Sequence, residues 1–102
     1  MIKIKSGVQF SHTSFIYPDI MRIIYIVQKM APEGYEVTIT SGCDGDHKPN
    51  SSHYTGRGFD FRTRDFPEDK NIGVWLKRIQ AALGSCYFVL LEETHLHVQF
   101  NG

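Results

Sequence analysis

The sequence has no charge of one sign to spare: lysine plus arginine and aspartate plus glutamate both number eleven. Its basic residues are scattered, so it offers no electrostatic footing to nucleic acid or to an anionic membrane surface, and neither partner is expected. No stretch approaches the ~18 consecutive apolar residues of a membrane-spanning helix. The opening MIKIKSGVQF alternates polar and apolar residues and lacks an apolar h-region, so no signal peptide is expected and synthesis in the cytoplasm is. Cysteine is scarce. Cys43 and Cys86 have no C-x-x-C partner, which argues against a thiolate zinc site and against a disulfide framework. Two reduced thiols are the expectation for such a chain.

What remains is ordinary in amount. A hydrophobic share of 41% with 22% charged residues suits a folded chain rather than a disordered one. At 102 residues, with no repeat, low-complexity tract or linker, one monomeric domain over residues 1–102 is expected.

Local patterning gives an order of elements. Lys3 to Phe10 reads as a short, irregular edge strand. From Pro18 the spacing turns helical, with Met21, Ile24 and Val27 beside Ile20, Ile23 and Met30, until APEG ends the run. YEVTIT alternates and is β-branched, so it reads as a strand. SGCDGDHKPNSSHYTGRG then holds four of the nine glycines, a long loop for so small a domain and therefore a candidate for function. FDFRT reads as a second strand. A second helix follows, with Ile72, Trp75, Leu76, Ile79 and Leu83 on one side and Gly84 at its end. CYFVLLEE and HLHVQF close the chain as strands, joined by a tight turn near Glu93 and Thr94. The class implied is α+β, with two helices on one face of a small, mostly antiparallel sheet.

Five histidines are present, and two elements concentrate them. His95 and His97 stand two apart, so in a strand they share a face. Asp60 lies between Phe59 and Phe61, which alternate to the other face. His53 belongs to the glycine-rich loop. Taken singly, each has a plain explanation: H-x-H can be a polar strand face, and His53 an exposed loop residue. Taken together, two imidazoles and a carboxylate arrive from three elements able to converge. That is a ligand set for a zinc ion with one position left open. Asp44, Asp46 and His47 read as a hydrated turn, Trp75 as core, and His12 has no evident partner.

Ser51, His53, Gly56, Gly58 and Asp60 resemble the S-x-H-x-x-G-x-A-x-D pattern of the zinc D-Ala-D-Ala carboxypeptidase family. That family includes phage endolysins that cleave L-alanyl-D-glutamate bonds, and it shares its fold with the hedgehog signalling domain. LLEETHLHVQF is similar to the family's closing segment, in which a glutamate precedes H-x-H, and Thr40 to Gly42 resembles its lead-in. The likeness spans about residues 36 to 100. It implies a hedgehog/DD-peptidase-like fold, Zn2+ as cofactor, and His53, Asp60 and His97 as its ligands. It implies His95 as a group facing substrate or water, and Glu92 as general base. Strand alternation by itself puts Glu93, not Glu92, on the histidines' face, so both stay in view. Ser51 is expected to orient the loop or Asp60, and Gly56 and Gly58 to allow close approach or positive φ.

Two departures stand out. Gly58 replaces the family's alanine, a methyl's difference expected to bear on packing. The arginine that many members carry soon after SG is absent here, so recognition of a substrate carboxylate falls to Arg57 or Arg62. The function implied is zinc-dependent hydrolysis of peptidoglycan stem peptides, at a terminal D-alanine or within the peptide. A small member without a signal or wall-binding module is similar to phage lysis enzymes, which act on the wall once released. The alternatives are a non-catalytic zinc-stabilised module of the same fold, or a phage structural component.

Overall fold

A computed structural model describes residues 2–8, 18–42 and 58–101. Within them lie β1 (Lys3–Ile4), α1 (Pro18–Lys29), β2 (Thr38–Ser41), β3 (Gly58–Arg62), α2 (Ile72–Leu83), β4 (Tyr87–Leu91) and β5 (His95–Phe100). The strands form one sheet in the order β1-β2-β3-β5-β4. β1 runs parallel to β2 and every other pairing is antiparallel, so the sheet is mixed and the class is α+β.

The helices form where the sequence supplies both a stripe and an end. α1 begins at Pro18, whose fixed φ and missing N–H suit the first turn. It buries Ile20, Ile23, Ile26 and Val27, while Ile24 and Met30 flank the core. Ile20, Ile23 and Val27 belong to the face expected from the spacing, and Ile26 joins them. α2 starts at Asn71, whose side chain accepts from the Gly73 N–H at 2.8 Å, and stops at Gly84 with φ +94°. Only glycine takes that backbone conformation at little cost.

Both helices face the same side of the sheet. Phe59 and Phe61 of β3 and Leu96 and Val98 of β5 are fully buried against Ile23, Val27, Trp75 and Ile79. The Trp75 indole N–H donates to the Val27 carbonyl at 3.2 Å, tying α2 to α1 without leaving a buried polar group unpaired. The expected strand YEVTIT begins only at Thr38, because the backbone before it is claimed by side chains. Gln28 donates to the Tyr35 carbonyl and accepts from the Val37 N–H, at 2.8 and 3.0 Å. The Tyr35 ring meets Phe66 and Trp75 edge-on.

Strand alternation sends the intervening residues the other way. Gly58, Asp60 and Arg62 on β3 therefore lie on the face away from the core, with His95, His97 and Gln99 on β5. Among the described residues no helix covers that face.

Candidate functional site

Register decides which of these polar residues meet. β3 and β5 pair Gly58 with Gln99, Asp60 with His97 and Arg62 with His95. On the far side of β5, Leu90 stands opposite His97, and on the far side of β3, Ser41 stands opposite Asp60. The row Ser41, Asp60, His97, Leu90 thus crosses four strands of a single sheet.

Asp60 Oδ1 lies 2.8 Å from His97 Nδ1, a charge-assisted hydrogen bond with both side chains nearly buried. The other ring nitrogen of His97 lies 2.6 Å from Gln99 Oε1. The Gln99 amide N–H donates to Asn101 Oδ1 at 2.6 Å, which fixes its oxygen toward the imidazole. Both His97 nitrogens therefore face acceptors, an arrangement that suits the imidazolium. Burial acts to lower its pKa, but the hydrogen bonds to Asp60 and Gln99 and the charges of Asp60 and Glu92 outweigh it. The net result is a pKa raised above the ordinary histidine value.

The second pair stands one row along. His95 Nε2 is 3.1 Å from Glu92 Oε1 and 3.6 Å from Asp60 Oδ2, and Thr94 Oγ1 is 3.1 Å from His95 Nδ1. These contacts fit one tautomer: the Nε2–H donates to carboxylate while the threonine hydroxyl donates to Nδ1. The turn that permits this spans Glu92 to Thr94, with the Glu92 N–H bonded to the His95 carbonyl at 2.8 Å. It breaks the two-residue parity of an extended strand, so Glu92 reaches His95 although Glu93 is nearer in sequence. Glu92 is 45% exposed in its side chain against 11% for Asp60, so it stands at the mouth of the site.

Asp60 and His97 present oxygen and nitrogen donors of the kinds zinc takes. Two donors each at 2.0–2.1 Å from one tetrahedral ion stand roughly 3.3 Å apart, so the pair must part by about half an ångström to share a metal. Among the described residues no group of three metal-ligating side chains converges. His53, the third expected ligand, lies outside the described residues. So do Ser51 and Arg57, expected to orient the loop and bind substrate, and Gly56, His12, Cys43, Asp44, Asp46 and His47. Cys86 is exposed.

No family model, curated protein or solved structure matches the chain. The site's chemistry therefore stands on its geometry. Two of its members, Gln99 and Thr94, belong to no motif in the sequence. Gln99 follows His97 by two in HLHVQF, so alternation alone puts it on the same face. Thr94 precedes His95, and only the turn brings its hydroxyl back to the ring.

Gly58 allows close approach, the first of the two roles expected for it. It is not among the described glycines with positive φ. A Cβ built on it would stand 3.0 Å from Gln99 Cβ, 3.1 Å from the Val98 carbonyl oxygen and 3.4 Å from the His97 ring. The missing methyl lets Gln99 and His97 close over β3, so the departure from alanine bears on the site and not on packing alone.

Proposed function

We propose that the chain is a zinc-dependent peptidase of the hedgehog/DD-peptidase fold that hydrolyses peptidoglycan stem peptides. The observation that carries this reading is the Asp60–His97 pair at 2.8 Å, with the Glu92–His95 pair joined to it through Asp60. A carboxylate–imidazole couple held rigidly on two strands, beside a second and more exposed one, provides metal ligands and a proton carrier in one place. His53, Asp60 and His97 would hold the zinc. Bound there, zinc would supply Lewis acidity, acidifying water and polarising the scissile carbonyl.

The chain's own residues do the rest. Glu92 accepts a proton from the attacking water and delivers it to the leaving amine, a role that its exposure at the mouth permits. His95 holds the Glu92 carboxylate through Nε2–H, and that same donor can turn to the carbonyl oxygen as it gains charge. Thr94 keeps the His95 tautomer suited to donation. Gln99 orients His97 as a neighbouring hydrogen-bond partner orients a metal ligand.

The test uses the full chain loaded with zinc, stripped by chelation and reloaded, with new amino termini counted on purified peptidoglycan. Cleavage that follows zinc through this cycle supports the reading. Zinc bound at one equivalent with every peptide left intact would move the chain to a zinc-stabilised, non-catalytic module.

A further inference from the structure

The two edges of the sheet are built differently. β1 is two residues long, with Lys3 in it and Lys5 directly after, the short charged form that keeps an edge from pairing further. β4, at the other edge, is YFVLL: five residues with no charge, no proline and no break in its register with β5. Three of the six large hydrophobic residues exposed among the described residues, Phe88, Leu90 and Leu91, lie on this one strand. An edge of that kind is a template for another strand.

The ladder with β5 fixes which backbone groups of β4 stay open. The Asn101 N–H donates to the Cys86 carbonyl at 2.7 Å, and the Glu92 N–H to the His95 carbonyl at 2.8 Å. Residues that bond to an antiparallel partner alternate along the strand, so Phe88 and Leu90 face β5 as Cys86 and Glu92 do. Tyr87, Val89 and Leu91 then point their N–H and C=O outward. Tyr87 is already closed: its N–H donates to the Gly84 carbonyl at 3.2 Å, and its carbonyl accepts from the Gln80 side chain at 3.1 Å. Among the described residues nothing bonds to the outward groups of Val89 and Leu91. Two donors and two acceptors are left, two residues apart.

That set matches itself. Antiparallel pairing of two copies about a two-fold axis at Leu90 sets Val89 of each opposite Leu91 of the other, and every open group finds a partner. A register centred on Val89 would instead bring Leu91 against the closed Tyr87. The axis at Leu90 also lays Leu90 on Leu90, apolar against apolar. Assembly stops at two copies, because the only edges then left are the lysine-bearing β1 strands.

We propose that β4 is the interface of a two-fold dimer, in which two copies of the chain join edge to edge about Leu90 into one continuous sheet. This departs from the monomer expected from the sequence, and it does not depend on the peptidase reading. It does bear on the site. The row Ser41, Asp60, His97, Leu90 runs on into the same row of the second copy. Both sites then open on one face of the sheet, with their His97 residues three strand spacings apart, about 14 Å.

The experiment is analytical ultracentrifugation of the full chain from about 10 µM to about 1 mM, with amide hydrogen exchange read by NMR over the same range. The mass is expected to rise from 11.7 kDa toward twice that value. Exchange at the Val89 and Leu91 amides should slow about tenfold as it does, and exchange at Phe88 and Leu90, already bonded to β5, should change less. Leu90→Lys and Leu90→Glu alter an exposed side chain, and each should stay monomeric because like charges meet on the axis. An equimolar mixture of the two variants should recover the dimer, which also shows that both fold. A chain that is monomeric at the highest concentration overturns the proposal. So does a dimer that both Leu90 variants keep, or protection of Val89 and Leu91 that is the same at every dilution.

Discussion

His97 and Asp60 face each other across β5 and β3 with Nδ1 and Oδ1 2.8 Å apart, and Gln99 holds the imidazole from its other side at 2.6 Å. A histidine between two acceptors prefers to be charged, and a metal ligand must not be. Under the zinc ligation proposed above, the same residue would link stability, proton and metal.

The metal-free chain should lose stability as pH rises. His97 has a raised pKa in the folded state, so the native form binds more protons than the unfolded one near neutrality. Its contribution is complete below the unfolded value of about 6.5 and vanishes as pH climbs through the higher folded value. Zinc held by His97, as proposed, would need the neutral ring, so its affinity should increase over the same window and reverse the slope. Thermal melts from pH 5.5 to 8.5, with chelator and with zinc, are expected to trend in opposite directions. Parallel trends would show that His97 takes no metal.

Replacing Glu92 by glutamine should leave zinc bound and lower turnover by about 10²–10⁴-fold, the usual worth of a general base. The residues proposed to hold zinc should stay in place, because the hydrogen bond of Glu92 goes to His95 rather than to His97. Zinc content and peptide hydrolysis on the same sample decide it. Retained activity in Glu92→Gln with loss in Glu93→Gln would transfer the role.

Gly58→Ala should destabilise by about 1–2 kcal/mol, since the added methyl meets Gln99 Cβ and a backbone oxygen within 3.1 Å. The methyl also presses on the glutamine that orients His97, so zinc affinity should decline with it. Denaturant melts and a competitive zinc titration read the two effects. A variant as stable and as tight as the parent would mean that β3 and β5 yield freely.

Thr38 carries a buried hydroxyl, 4% exposed as a residue, with no hydrogen-bond partner among the described residues. Valine has nearly its shape and no polar atom to strand. Thr38→Val should therefore raise stability by about 1 kcal/mol and leave zinc binding unchanged. A loss of stability on urea unfolding would reveal a partner for the hydroxyl.

Much of the fold could be read from periodicity. The Ile72–Leu83 helix, its Gly84 end and the His95–Phe100 strand stand where the spacing put them, because each combines a strong pattern with a turn residue. Asp60 and His97 were legible as residues that can approach each other if their strands share a sheet, and they do; the exact register that sets them opposite one another leaves no local mark between strands far apart in sequence. The choice between Glu92 and Glu93 was open for a related reason: alternation assumes an extended chain, and the Glu92–Thr94 turn is not extended. Of the two roles open to Gly58, close approach and positive φ, the structure shows the first, a contact across the sheet that the local sequence does not specify. The parallel pairing of β1 with β2 had no signal in so short a strand.

The most direct test of the account is mass spectrometry of muropeptides after purified cell wall is incubated with the zinc-loaded chain and, separately, with its His97→Ala variant. Shortened stem peptides or released D-alanine are expected with the parent, and neither zinc nor cleavage with the variant. Stem peptides left intact by a parent chain that holds its zinc would contradict it.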